Sequence, residues 1–427
     1  MELITQYGHI LLIIAALFAF FMAWGIGAND VANAMGTSVG SNALTIKKAI
    51  IIAVIFEFAG AYFAGGDVTS TIRKGILDPA LIADKPDLLV LGMMSSLLAA
   101  GTWLLIASVK GWPVSTTHSI IGALVGFAVA GISVDAVNWG QISTIVASWV
   151  VSPVLAGSIA FVIFMSVQKL VLEADDPFVK AKIWVPVYMF MVGFLIAMVT
   201  LLKGLKNTSL SLDFGFDSKF LNNAPLAFLI GLVVAIVGGF MLSKVKRNTG
   251  MNTQNKFVNV EGVFAILMIF TASAMAFAHG SNDVANAVGP LAAIASVVGN
   301  GGEIAAKSAL PEWILLLGGI GIVVGLVTYG ARVMKTIGTK ITELTPSRGF
   351  AAELAAAATV VFASIWGLPV STTHTLVGAV LGVGLARGMS ALNFRMIGQI
   401  FASWVVTLPA GAGLSILFFF LFKGILL

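Results

Sequence analysis

Apolar runs recur along nearly the whole chain, separated by short polar stretches. Each is about 20 residues long, the length an α-helix needs to cross a bilayer core of roughly 30 Å. They predict spans at 8–28, 46–65, 88–109, 115–133, 139–168, 183–203, 224–243, 258–279, 312–331, 350–367, 372–387 and 396–422. The expected fold is therefore an all-α integral membrane protein with about twelve transmembrane segments. Two runs, 115–133 and 372–387, are short, and each begins on a polar cluster. They read as half-helices or arms of re-entrant hairpins, which are tolerated at membrane depth only where protein or a cavity satisfies the backbone. The run at 139–168 is too long for a vertical span and contains Pro153, and its counterpart contains Pro409. A kink or break is expected near each proline.

The polar interruptions repeat. Gly27-Ala28-Asn29-Asp30-Val31-Ala32-Asn33-Ala34 returns as Gly280-Ser281-Asn282-Asp283-Val284-Ala285-Asn286-Ala287, an offset of 280 − 27 = 253. Pro113-Val114-Ser115-Thr116-Thr117-His118 returns as Pro369-Val370-Ser371-Thr372-Thr373-His374, an offset of 369 − 113 = 256. Gln141, Trp149 and Pro153 are echoed by Gln399, Trp404 and Pro409. Two unrelated motifs at almost one spacing mark an internal duplication. It divides the chain into an N-terminal repeat with connecting helices (1–243), a basic linker (244–257) and a C-terminal repeat (258–427). Seven predicted crossings separate the matched starts, and an odd number turns one repeat upside down relative to the other, as in many secondary transporters. Parallel duplication is the alternative, restored by one miscounted hairpin.

Charge supports the count. Lys244, Lys246, Arg247 and Lys256 stand in the linker without an acid, which places it in the cytoplasm under the positive-inside rule. Counting outward puts Lys47, Lys48, the Arg332–Arg348 loop, Arg387 and Arg395 inside and both termini outside. The loops 66–87 and 204–222 then face outward, the second carrying Asn207-Thr208-Ser209, and the neutral loop 169–182 favours neither side. Composition agrees: 59% of the 427 residues are hydrophobic and only 10% charged, far below the quarter typical of soluble domains. The net charge of +5 is scattered through short loops, so there is no nucleic-acid footprint. Without cysteine there is no thiolate nucleophile or iron–sulfur centre, and four histidines build little of a metal centre. Met1-Glu2-Leu3 lacks the basic start of a signal peptide, so the first run is expected to be a retained helix.

The acid–amide motifs carry candidate cation chemistry. Asn29 and Asn33 are four apart and share one helix face, with Asp30 beside them. Asn282, Asp283 and Asn286 repeat the arrangement. A carboxylate at membrane depth needs a partner, either a bound cation or a proton. Carboxylate, amide and freed main-chain oxygens suit a small alkali ion, and Gly25, Gly27 and Gly280 make local unwinding cheap. The competing explanation is polar glue between helices. Glu57, alone in an apolar run, is either a proton or cation ligand or an interior partner for a neighbouring helix.

Ser115, Thr116 and Thr117, like Ser371, Thr372 and Thr373, read as helix starts behind a proline, with hydroxyls able to cap them. Free N–H groups and the helix dipole favour an anion there. Two such starts facing one another would offer donors from both sides to a tetrahedral oxyanion, with Gln141 and Gln399 as further donors. His118 and His374 can donate to it, respond to pH or rest on a neighbouring carbonyl. Plain capping is the alternative, though it explains poorly why the cluster occurs twice. No arginine or lysine lies in either motif, so a bound anion would need cotransported cations to offset its charge. No G-x-S-x-G elbow or HExxH motif occurs, so an enzyme is not expected.

The paired signatures resemble those of the inorganic phosphate transporter (PiT) family, and the resemblance covers essentially the whole chain. It implies a plasma-membrane phosphate symporter of inverted repeats acting as a homodimer, with no cofactor and with phosphate and sodium as transported ions. It ties Asn29, Asp30, Asn33, Asn282, Asp283 and Asn286 to cation and phosphate binding, with sodium at Asp30 and Asp283, and matches Ser115–Thr117 and Ser371–Thr373 to anion-site hairpins. The full first motif resembles the sodium-coupled members, and the short linker suggests a prokaryotic form. Glu57, His118 and His374 are candidate proton or cation positions. Proton coupling, metal–phosphate or sulfate as cargo, an anion channel and a non-transporting structural protein are the competing readings.

Overall fold

The computed structural model describes residues 2–204, 218–247, 256–304, 310–337, 344–388 and 394–427. The sequon at 207–209, most of the linker and much of the 204–222 and 332–348 loops lie outside them. In order, the helices are α1 (Glu2–Gly40), α2 (Ile46–Ala64), α3 (Gly66–Lys74), α4 (Pro79–Ile82), α5 (Pro86–Lys110), α6 (Thr116–Gly131), α7 (Trp139–Val167), α8 (Pro177–Val199), α9 (Lys219–Ser243), α10 (Lys256–Gly299), α11 (Glu312–Gly325), α12 (Ala331–Ile337), α13 (Pro346–Ile365), α14 (Thr372–Arg387) and α15 (Phe394–Leu426).

Nine helical segments among the described residues are long and apolar enough to cross a membrane. The other three expected spans are helices too, but shorter. α2 has 19 residues and carries Lys47, Lys48 and Glu57. α6 and α14 have 16 each, about 24 Å of rise, less than a bilayer core.

One expectation fails on the long helices and another is narrowed. The acid–amide motifs do not sit where helices end or unwind: α1 runs unbroken for 39 residues and α10 for 44. Gly27 and Gly280 serve close packing instead. A Cβ on Gly27 would overlap the Ile322 carbonyl and stand 2.7 Å from its carbon, and one on Gly280 would stand 2.9 Å from the Glu57 carbonyl carbon. Reciprocal glycines complete both crossings, with Gly325 against the Trp24 carbonyl and Gly60 against that of Phe277. These are small-residue contacts of the kind that let membrane helices pack backbone to backbone. Of the kink or break expected at Pro153 and Pro409, the break does not occur, since both lie inside helices that continue past them.

The sequence halves interleave. α2 packs on α10 and α11 on α1, while α7 packs on α14 and α15 on α6. The last two contacts are again glycine-mediated, Gly157 and Pro153 against Gly378, and Gly411 against Ser119. At the centre the matched helices α1 and α10 cross in opposite directions. Gly8 abuts Val298 near one end, and Ser41 reaches Met268 near the other.

Candidate functional site

Each hydroxyl motif forms the turn of a helical hairpin, α5–α6 and α13–α14. The outgoing helices end on glycines in the left-handed region, Gly111 at φ 68° and Gly367 at φ 67°. Only glycine enters that region without strain, and it frees the chain to reverse. The returning helices start as the sequence predicts. Ser115 caps α6 by accepting from the His118 N–H, and Ser371 caps α14 by accepting from that of His374.

The first asparagine of each motif clamps the hairpin of its own repeat. Asn29 Nδ2 donates to Ser108 Oγ and to the Trp112 carbonyl, both at 3.1 Å, while its Oδ1 accepts from the Val114 N–H at 3.3 Å. Asn282 Nδ2 donates to Ser364 Oγ at 3.0 Å and to the Leu368 carbonyl at 3.1 Å. The second asparagine crosses to the other repeat. Asn33 donates to Thr373 Oγ1 at 2.7 Å, and Asn286 donates to Thr117 Oγ1 at 3.2 Å. The two turns also touch directly, Thr117 Oγ1 donating to the Val370 carbonyl at 3.0 Å.

Between the turns lie the two aspartates. Ligand atoms of Asp30, Asp283 and His279 fall within 4.8 Å of one another, and all three side chains are buried. Asp283 Oδ2 accepts from Thr372 Oγ1 at 2.9 Å and has His279 Nε2 at 3.1 Å. His279 Nδ1 faces Glu57 Oε1 at 3.3 Å, which gives Glu57 the interior-partner position. Asp30 has the Thr116 hydroxyl as its polar neighbour, but neither of its oxygens meets full hydrogen-bond geometry with a described group. Carboxylate and hydroxyl oxygens of this kind suit a hard alkali cation, and the converging helix starts suit an oxyanion.

Other candidates have different surroundings. His118 and His374 sit under the turns in an aromatic stack: ring centroids are 3.8 Å apart for His118–Trp149, 4.4 Å for His118–His374 and 3.3 Å for His374–Trp404. His374 Nδ1 is 3.4 Å from the Trp149 carbonyl, matching the neighbouring-carbonyl alternative for that residue. Gln141 is half-buried beside Gly75, and Gln399 lies on α15 with its side chain outside the described ones.

Sequence reasoning missed two buried groups. His279 immediately precedes the second motif, where the first has Ile26. Glu353 on α13 accepts from Thr37 at 2.5 Å, Ser38 at 2.6 Å and Thr271 at 2.7 Å, tying three helices together. An acid within an apolar run was the available signal, the one that singled out Glu57. Beyond Glu353 a cavity of about 1000 Å³ opens between the end of α1 and the starts of α10 and α13, lined by Ser41, Glu261, Ser347, Arg348 and Arg387 among others.

Fold and site together define a polytopic membrane protein whose two sequence repeats pool acids, amides and hydroxyls in one buried cluster. Residues 26–415 match the Phosphate transporter family, and the chain belongs to that family, one of transporters rather than enzymes. It is 53% identical to a Haemophilus influenzae protein named "Putative phosphate permease", with all of both chains covered. It is 43% identical to "Inorganic phosphate transporter 2-1, chloroplastic" of Arabidopsis thaliana, covering 96% of this chain and 72% of the relative. A solved structure titled "The sodium-dependent phosphate transporter" superposes with a TM-score of 0.88 at 40% identity, covering 97% of this chain and 99% of the other.

Proposed function

We propose that the protein is a sodium-driven symporter that carries inorganic phosphate into the cell by alternating access between two inverted repeats. The observation that carries this reading is the reciprocal pairing of Asn33 with Thr373 and Asn286 with Thr117, by which each repeat's acid–amide motif reaches the other's hydroxyl turn. In this reading the turns at Ser115–Thr117 and Ser371–Thr373 hold phosphate through helix N–H groups and hydroxyls, and Asp30 and Asp283 hold sodium. Cation charge offsets the anion between motifs that carry no lysine or arginine of their own, so neither binds well alone. Each sodium entering down the membrane potential contributes about 2.3 kcal/mol per 100 mV.

The opposed directions of α1 and α10 support inversion, since matched helices run opposite ways in inverted repeats. Each hairpin then enters and leaves on its own side, the two from opposite faces of the membrane. The large cavity lies beside the start of α10, next to the basic linker, and is the cytoplasmic vestibule under the positive-inside rule. Both termini are then periplasmic or extracellular. The setting is a prokaryotic cytoplasmic membrane, with a homodimer as the working unit. Exposed apolar faces, such as Phe228, Val233, Ile236 and Phe240 on α9, suit lipid or a second copy.

Proton coupling is the second reading, favoured by the buried run Glu57–His279–Asp283. Uptake of labelled phosphate into proteoliposomes under separate sodium and proton gradients decides between them. Accumulation under a sodium gradient alone is expected. Accumulation under a proton gradient alone overturns the sodium assignment.

A further inference from the structure

The buried cluster is rich in acceptors without donors. Both oxygens of Asp30, Oδ1 of Asp283, and the amide oxygens of Asn282 and Asn286 are enclosed with no hydrogen-bond partner. Buried acceptors left bare are costly, so each needs a cation or a proton donor when the site is loaded. Asp283 has already engaged one oxygen with Thr372 and His279, leaving the other for a cation. Asp30 keeps two such oxygens beside the first turn, with the Thr116 hydroxyl as their neighbour. One can hold a cation while the second faces the anion. A fully deprotonated anion oxygen placed there would meet carboxylate charge with no proton between them. An anion that carries its own hydroxyl removes that conflict by donating to the carboxylate.

We infer that Asp30 accepts a hydrogen bond from the P–OH group of phosphate, and that this contact selects hydroxyl-bearing tetrahedral anions over sulfate. The inference rests on the phosphate site proposed above. It explains how two anions of nearly equal size are told apart by a site whose other contacts are donors that serve both equally. Both phosphate ions present near neutral pH keep at least one hydroxyl, so either satisfies the contact. Sulfate has none. A site built around a substrate hydroxyl rejects analogues lacking it far more strongly than shape alone permits, because the site's own polar group is then stranded.

The test is displacement of labelled phosphate from the purified full-length protein in sodium buffer at pH 7.5, using arsenate, sulfate and monofluorophosphate. Monofluorophosphate matches the charge of the phosphate dianion but carries fluorine in place of the hydroxyl. Arsenate is expected to displace phosphate within about tenfold of unlabelled phosphate, and sulfate and monofluorophosphate to be at least about 100-fold weaker. In Asp30→Asn the amide can donate as well as accept, so the phosphate-over-sulfate ratio should fall at least tenfold. Asp283→Asn should keep the ratio even where affinity drops. Sulfate or monofluorophosphate competing within threefold of arsenate in the wild type overturns the inference. So does an unchanged ratio in Asp30→Asn, or a collapse confined to Asp283→Asn. If Asp30→Asn binds no phosphate, the wild-type ranking and the Asp283→Asn series still decide. The site itself is tested apart from selectivity by Thr117→Val combined with Thr373→Val. Unchanged phosphate affinity there removes the proposed site, whatever the anion ranking.

Discussion

Two glycines on α10 should respond to the same substitution in opposite ways. At Gly280 an added methyl would overlap the Glu57 carbonyl oxygen and lie 2.9 Å from both its carbon and its Cα. Ordinary contact begins near 3.4 Å, so α2 must retreat by at least 3.4 − 2.9 = 0.5 Å from the carbons and further from the oxygen. The obstacle is backbone on a helix fixed at the same crossing by Gly60, so no side chain can swing aside. Overpacking of this kind costs about 1–3 kcal/mol, and more where backbone must move. The retreat also draws Glu57 away from His279, now 3.3 Å apart, and loosens the surroundings of Asp283. At Gly262 on the same helix nothing lies within 4 Å of the added methyl. There alanine should stabilise by up to about 1 kcal/mol through helix propensity alone. Thermal unfolding of the purified variants in one detergent, with phosphate uptake in parallel, tests both signs. Gly280→Ala is expected to unfold several degrees lower with uptake impaired, and Gly262→Ala at or above wild type with uptake retained. A Gly280→Ala protein as stable and active as wild type would refute the backbone-to-backbone crossing.

Asn29→Ala removes two donated bonds and strands the buried Val114 N–H, so stability should fall by about 1–3 kcal/mol, measured by thermal unfolding. A wild-type melting curve with weakened sodium affinity would instead assign Asn29 to the cation. Asn33→Ala should lower phosphate affinity at least tenfold in a binding assay while shifting stability less than Asn29→Ala, because its bond is one the proposed ligand exchanges. Ser371→Ala should cost about 1 kcal/mol through the lost cap on the His374 N–H, and Ser371→Asn should restore most of it. Arg247→Ala should change stability by no more than about 1 kcal/mol, since its pair with Asp176 is solvent-exposed.

What could be read from the sequence follows from how local each device is. The starts of α6 and α14 were legible because a cap is written within four residues: Ser115 and Ser371 bond the N–H three positions on. The pooling of the motifs was legible because duplication announces a shared site. Duplication was also the blind spot, since a search for what occurs twice passes over His279 and Glu353. Continuity of α1 was misjudged because glycines read alike in an unwound helix and at a tight crossing. Only the neighbour decides, and Ile322 is 295 positions from Gly27 (322 − 27). The roles of Asn29 and Asn33 were inseparable for the same reason. They share a helix face, yet one bonds Ser108 and the other Thr373.

The departures from the repeat are as informative as the repeat. His279 answers to Ile26, and the crossing that brings Gly280 to Glu57 brings Gly27 to Ile322, so the second copy has an ionisable pair where the first has two isoleucines. Glu353 answers, at the hairpin offset of 256, to Leu97. All three single-copy groups are therefore buried polar departures from an otherwise matched frame, Glu57 in the N-terminal half and His279 and Glu353 in the C-terminal half. A perfectly matched frame, inverted as proposed, would hold its two access states at nearly equal free energy. Buried ionisable groups that have no counterpart in the matching position remove that equality, because desolvating a charge and satisfying it costs differently in each packing. Under the proposed symport mechanism the ion gradient would set the direction of net transport, and these groups would bias which way the unloaded protein rests. Replacing Glu353 by leucine should shift that resting population, readable as altered accessibility of a cysteine placed at Ser41 in the cavity at the end of α1, before it alters what the central site binds. Unchanged accessibility in a folded Glu353→Leu protein would confine Glu353 to tying α1, α10 and α13 together.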